Sequence, residues 1–175
     1  LSGFSKKKVL GMAGVLDSSR FRSFVAEEAG VSFDEVSAFV CGDHGDLMVP
    51  LISSCKIKGK ILSEFLSYEK IDGIVKRTKN SGGEIVSLLK NSSAGFAPAV
   101  SILEMIDSIV NDKKKVLSCS VLLEGEYGIS DLFVGVPVKL GRNGVEEIVV
   151  MNFSDTEKKE FQDSVEHIRD SIKKI

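Results

Sequence analysis

The segment CGDHGDLMVP, Cys41 to Pro50, sets one of the chain's two histidines between two aspartates in a glycine-bracketed turn. An imidazole with the ordinary pKa of about 6.5 exchanges a proton near neutral pH, which few other side chains do. Upstream, LDSSRFR places Asp17 and Arg20 three residues apart. On a helix that spacing points both side chains to roughly the same side. A carboxylate on one ring nitrogen of His44 would fix its tautomer and steady the imidazolium. An arginine alongside would offer a planar fork to a substrate carboxylate. Taken singly, the three residues have plain readings: a hydrogen-bonded loop histidine, and a local ion pair at a helix start, where aspartate is favoured anyway. Taken together, they describe acid–base chemistry on a carboxylate-bearing substrate.

The elements that must position these residues follow from hydrophobic periodicity. Val9 to Met12 reads as a short strand ending in a glycine turn. The helix that follows, within DSSRFRSFVAEEAG, carries Phe21, Phe24 and Val25 on one face and stops at Gly30. Val36 to Cys41 reads as a buried strand, so the GDHGD turn sits at a strand end. A second strand is expected from Leu51 to Ile57, closed by a turn at Lys58-Gly59. Between Glu69 and Leu89 the pattern is helical, and Gly82-Gly83 predicts a kink or break. Pro98 fits the first turn of another helix, with Ile102, Leu103, Ile106, Ile109 and Val110 as its stripe.

Val116 to Leu123 is strand-like, and Leu132, Val134, Val136, Val138 and Leu140 alternate on one face of the next strand. GRNG joins that strand to VEEIVV as a hairpin, and Pro137 assigns it to an edge or a bulge. Ser154 and Glu157 have capping-box spacing, ahead of Phe161, Val165, Ile168, Ile172 and Ile175 at steps of four and three. The expected architecture is α+β, with helices covering one side of a largely antiparallel sheet.

Composition narrows the partners. With 175 residues, 43% of them hydrophobic, the chain suits one globular domain with a real core. A net charge of -2 and scattered lysines give no basic surface for nucleic acid. No apolar run approaches a membrane span, and KKKVLGMAGVL is too short and too soon charged to be a secretion signal. Cys41, Cys55 and Cys119 lack metal spacing and sit in apolar runs, as buried free thiols of a reducing compartment do. The expectation is cytoplasmic. Because the chain opens on Leu1, a fragment or a processed chain is expected.

GMAGVLDSSRFRSF followed by GDHGDLMVP resembles the malate and lactate dehydrogenase family, and its malate dehydrogenase branch most closely. The similarity continues in the family's order through NSSAGFAPAVSILEM, KKVLSCSVLLEGEYGISDLFVGVPVKLG and NGVEEIV. The resemblance implies the family's C-terminal, substrate-binding domain over residues 15–175. Residues 1–14 would be the remnant last strand of an N-terminal NAD-binding domain. It implies His44 as proton acceptor and donor, Asp17 as its carboxylate partner, and Arg20 on the carboxylate next to the reacting carbon. Ser93 to Pro98 would line the substrate and nicotinamide pocket, with Ala94 on the substrate and Pro98 on the cofactor side. Malate and oxaloacetate are the implied substrates, NAD the cofactor, and a homo-oligomer, dimer or tetramer, the assembly. Lactate dehydrogenase of the same family is the alternative.

Two departures stand out: Asp43 occupies a position where the family usually has a second glycine, and Gly95 one where a bulkier residue is common. The Asp43 carboxylate is expected to point into solvent. No G-x-G-x-x-G occurs, so nothing here grips a dinucleotide pyrophosphate, and the chain alone is expected to be inactive. An apolar surface facing the missing domain should then lie exposed and drive association. The rival enzyme is a metal-dependent phosphoesterase with Asp43, His44 and Asp46 as ligands. It needs further ligand clusters, and the other histidine, His167, is expected on the polar side of the terminal helix. An oligomerisation module, the non-enzymatic alternative, leaves Asp17, Arg20 and His44 unexplained.

Overall fold

The computed structural model describes residues 3–90 and 95–174. The main sheet is antiparallel throughout, in the order β1 (Gly11–Met12), β7 (Lys115–Glu124), β8 (Ser130–Gly141), β3 (Val40–Gly42), β4 (Met48–Pro50). The strand β9 (Gly144–Ile148) pairs with β8 through the GRNG turn. A small second sheet joins β2 (Val36–Ser37), β5 (Lys56–Ile57) and β6 (Lys60–Ile61). Among the described residues four α-helices complete the fold: α1 (Gly14–Ala29), α2 (Tyr68–Leu89), α3 (Phe96–Val110) and α4 (Asp155–Ile172). No helix among the described residues is long and apolar enough to cross a membrane.

The α+β architecture is as expected, but the helices are not confined to one side. Val40 and Met48 pack with Phe21, Val25, Ile71 and Ile74, while Cys41 and Val49 pack with Phe161 and Val165. Neighbouring strand residues face opposite ways, so β3 and β4 are covered by α1 and α2 on one face and by α4 on the other. All three cysteines are buried and unpaired. Burial pushes the Cys55 and Cys119 thiols up to about 12, and Cys41 further still, which leaves them inert packing groups.

Several boundaries differ from the pattern, each for a local reason. The stretch read as one strand from Val36 to Cys41 is divided between two sheets, β2 and β3. The strand expected from Leu51 to Ile57 is mostly a turn. There Glu157, at the start of α4, takes both the backbone N–H of Ser53 (2.8 Å) and its hydroxyl (2.5 Å). The same carboxylate closes the expected capping box with Ser154. Burial alone would push Glu157 up, but the hydrogen bonds from Ser53 and Ser154 outweigh it and hold the carboxyl below its ordinary range.

Gly82-Gly83 does not break α2, which runs unbroken for 22 residues. Arg77 and Glu84 bridge the pair at 3.1 Å, and buried Thr78 and Ser81 anchor the same stretch. Tertiary packing overrides the glycine penalty of about 1 kcal/mol per residue. Pro137 lies in a strand paired on both sides rather than at an edge. Its carbonyl accepts from the N–H of Val149 (2.8 Å), so its missing N–H lies on the same side, just past the last register pair Val138↔Ile148, and the Val149 carbonyl it would have served accepts instead from the Tyr127 hydroxyl (3.0 Å).

The largest departure concerns α3. An apolar stripe is ordinarily a core face, yet Leu103 and Val110 are 63% and 67% exposed, and Ile102 and Ile106 are exposed with them. Inward instead point Ser101, Met105 and Ser108. The Ser108 hydroxyl donates to the carbonyl of Leu140 (2.6 Å) and accepts from the N–H of Lys115 (3.2 Å). Small hydroxyl side chains face the sheet, and of the expected stripe only Ile109 packs against the core while Ile102, Leu103, Ile106 and Val110 turn outward. On α4, Phe161 and Val165 are buried as expected, Ile172 is exposed, and Ile175 lies outside the described residues.

Candidate functional site

The site begins where α1 presses on the sheet. A side chain at Gly14 would collide with the carbonyl of Val40 and with Ser118, so only glycine starts the helix this close. One turn on, the Ser18 hydroxyl accepts from the N–H of Val40 (2.9 Å) and lies 3.4 Å from the Ser118 hydroxyl. These contacts fix α1 beside β3, and with it the depth of Asp17, whose side chain is 1% exposed. At the end of β3 the chain turns through Gly42 (φ 84°) and Gly45 (φ 119°), left-handed conformations that favour glycine. Gly42 also leaves room for Ser164 of α4, which a Cβ would strike.

That turn brings His44 to Asp17, with Nδ1 lying 2.7 Å from Oδ2. An ionised carboxylate only accepts, so Nδ1 carries the hydrogen and Nε2 keeps its lone pair for a partner. The Asp17 hydrogen bond raises the imidazole pKa above its ordinary value, helped by the charges of Asp17 and Asp43. Partial burial and the Arg20 charge oppose the rise without cancelling it. The His44 side chain is half-exposed, so the ring has its back to a buried acid and its front to solvent.

Arg20 follows on the same helix, its Nη1 a loose 3.8 Å from Asp17 Oδ1. Among the described residues, Asp17 Oδ1 and Arg20 Nε are buried polar atoms with no hydrogen-bond partner. The guanidinium lines a cleft of about 620 Å³ between α1, α2 and α3, walled by Leu16, Phe24, Ser81, Ile85, Phe96 and Val100.

The structure thus brings Asp17, Arg20 and His44 together, although His44 and Asp17 do not line that cleft. Pro98 sits half-buried in the first turn of α3 and is not among the residues that wall it. Ala94, with Ser93, lies outside the described residues.

Two residues that the sequence left aside also converge on the turn. Asp43 does not point into solvent: its Oδ2 accepts from His167 Nδ1 of α4 at 2.9 Å, and its backbone N–H donates to the Ser164 hydroxyl at 2.7 Å. The signal available was the i,i+3 pair Ser164 and His167 on one side of a well-capped helix. Asp43, His44 and Asp46 do not converge: among the described residues no three His, Cys, Asp or Glu side chains are grouped to hold a metal ion.

Comparison with known proteins places this geometry. Residues 14–175 match the lactate/malate dehydrogenase alpha/beta C-terminal domain. The chain is 52% identical to a malate dehydrogenase of Chlorobium phaeobacteroides over 174 residues, covering 99% of this chain and 56% of that protein. Its fold superposes on the crystal structure of Cryptosporidium parvum malate dehydrogenase with a TM-score of 0.94 at 47% identity, over 99% of this chain and 57% of that one. A lactate dehydrogenase from the same organism, solved with lactic acid and nicotinamide adenine dinucleotide, gives 0.93 at 41% identity, over 97% and 55%. The chain therefore spans little more than half the length of the relatives it matches. With the family matched along nearly its whole length, this chain belongs to the lactate/malate dehydrogenases, as their alpha/beta C-terminal domain.

Proposed function

We propose that the chain is the substrate-binding half of an NAD-dependent dehydrogenase that interconverts malate and oxaloacetate. The single observation that carries this reading is the 2.7 Å contact between His44 and a buried Asp17, with Arg20 one turn along the same helix. In the oxidising direction neutral His44 accepts the substrate hydroxyl proton at Nε2, and Asp17 stabilises the imidazolium that results. In the reducing direction the charged imidazole polarises the carbonyl and returns the proton. Arg20 holds the carboxylate next to the reacting carbon, a role suited to an arginine that lines the cleft.

NAD, when bound, supplies the hydride acceptor. The donor set of this chain fits the reacting end of such a pair: a carboxylate-backed imidazole and a guanidinium. It does not fit the pyrophosphate, since no G-x-G-x-x-G turn is present. We assign that grip to a separate nucleotide-binding domain ending near Gly14, and Ala94 and Pro98 to the substrate and nicotinamide sides of the pocket. Turnover by this chain alone, rigorously purified, would overturn the assignment.

The outward face of α3 supports a homo-oligomer. Leu103 and Val110 are each more than 60% exposed, with Ile102 and Ile106 exposed beside them, an apolar stripe of the kind that soluble monomers rarely leave in water. Self-association rising with concentration is expected by light scattering; a monomer at every concentration would count against it.

Lactate is the second reading, since lactate and malate dehydrogenases superpose almost equally well. Kinetics of the enzyme with its nucleotide-binding domain, with oxaloacetate and pyruvate side by side, decide between them. A clear preference for oxaloacetate is expected. Full turnover of either substrate after His44→Asn would overturn the dehydrogenase reading itself.

A further inference from the structure

The residue beside the proposed proton-transfer histidine is engaged in three directions, twice through its carboxylate and once through its backbone. Asp43 Oδ1 accepts from the backbone N–H of His44 at 2.8 Å. Oδ2 accepts from His167 Nδ1 at 2.9 Å, and the Asp43 N–H donates to the Ser164 hydroxyl at 2.7 Å. Ser164 is fully buried, while the Asp43 side chain is about one-third exposed. Two residues of α4, one turn apart, therefore grip the residue immediately before His44, more than 120 positions away in the chain.

We propose that Asp43 is a positioning residue for His44, held in place by Ser164 and His167, so that the C-terminal helix α4 sets the orientation and electrostatic surroundings of the imidazole. The inference rests on reading His44 as the proton-transfer group. The turn itself is built on two glycines with positive φ, positions that carry no side chain to pack against a neighbour, so its hold on the rest of the molecule comes from Asp43 and His44. The Ser164 and His167 contacts are Asp43's part of that hold. They act on the backbone N–H and the carboxylate of one residue, and that carboxylate caps the N–H of the next.

The charges around His44 come from separate elements. Asp17 and Arg20 act from α1, Asp43 acts from the turn, and His167 meets Asp43 from α4. His167 in turn lies in the field of Asp170 on its own helix. Asp43 adds to the rise in His44's proton affinity, and a donor on its far oxygen moderates that contribution.

Imidazole 15N NMR of the 175-residue chain reads the His44 titration without substrate or cofactor. Asp43→Asn, which keeps the shape and removes the charge, is expected to move the midpoint down by roughly half to one pH unit. His167→Ala, which strips the carboxylate of its donor and keeps its charge, is expected to move the midpoint up. His167→Gln, which restores a donor, is expected to return it toward the parent. In the enzyme completed by its nucleotide-binding domain, the limb of the kcat/KM pH profile follows the same order. A midpoint unmoved by Asp43→Asn, or moved the same way by Asp43→Asn and His167→Ala, would overturn the proposal. His167 is half-exposed, so its variants keep the test open should Asp43→Asn fold poorly. If instead His44→Asn keeps full turnover, the dehydrogenase reading fails while the NMR shifts still decide the tether.

Discussion

Helices α1 and α3 pack against the same sheet, and both bury polar side chains, α1 at two positions and α3 along much of its inner face. The first hides Asp17 and Ser18 among Val15, Leu16, Phe21 and Val25, each matched by a partner from β3 or the turn that follows it. The second turns Ser101 and Ser108 to the sheet beside Met105 and Ile109, and Val100, Ile102, Leu103, Ile106 and Val110 to water. What a helix hides depends on what its neighbours supply. The turn after β3 supplies an imidazole, so an aspartate goes inward on α1. The strand β8 supplies a carbonyl at Leu140, so a serine goes inward on α3. Nothing among the described residues covers the α3 stripe, and this is the face we assign to association.

The sharpest way to break the comparison is at the chemistry α1 exists to support. His44→Asn should lower turnover by roughly 10²–10⁴-fold, the usual worth of general acid–base assistance. Thermal stability should barely change, because the side chain is half in water. A large loss of stability with intact turnover would make His44 a structural residue and Asp17 its buried prop. Arg20→Gln should come next. Loss of a charged hydrogen bond of about 1.5–3 kcal/mol corresponds to roughly ten- to a hundredfold in kcat/KM. A substrate that lacks the carboxylate should be indifferent to the change, and equal losses for both substrates would remove Arg20 from the substrate.

On α3 the contrast is between its two faces. Ser108→Ala should destabilise by about 1–3 kcal/mol in denaturant titration, because it leaves the carbonyl of buried Leu140 and the N–H of Lys115 without their shared partner. Leu103→Glu on the outer face should change stability by no more than about 0.5 kcal/mol while weakening association. If Leu103→Glu proves the more damaging of the two in dilute monomer, α3 is packed the other way round.

How much of this was legible beforehand divides along the same line. Strand alternation in β8, the caps of α4 and the stop of α1 at Gly30 are local signals, and the structure repeats them. The meeting of Asp17 with His44 follows from no spacing, since 27 residues separate them, and only the resemblance to a family brought them together. The Asp43–His167 contact was missed for the same reason: the two lie 124 positions apart, and each alone reads as an exposed polar side chain. The α3 stripe misleads because periodicity reports an apolar face without saying what meets it. Gly82-Gly83 misleads because the ion pair that spans them lies outside any glycine rule.

The smallest expected effect concerns the pH dependence of stability, and it isolates Asp17 from the rest of α1. The folded protein raises the pKa of His44 through the Asp17 hydrogen bond, so the charged imidazole is favoured in the fold over the unfolded chain. That contribution is fully present below the ordinary value of about 6.5 and is lost as pH rises through the raised folded value. Half of the ring faces water, so screening holds the effect to under roughly 1 kcal/mol. Asp17→Asn removes the acceptor's charge and with it the pH-dependent part. The stability gap between parent and variant, followed by urea titration, should therefore narrow from pH 6 to pH 9. A gap that stayed constant or widened across that range would mean that Asp17 is held on α1 by packing alone, as Ser108 is on α3, and that the imidazole draws nothing from it.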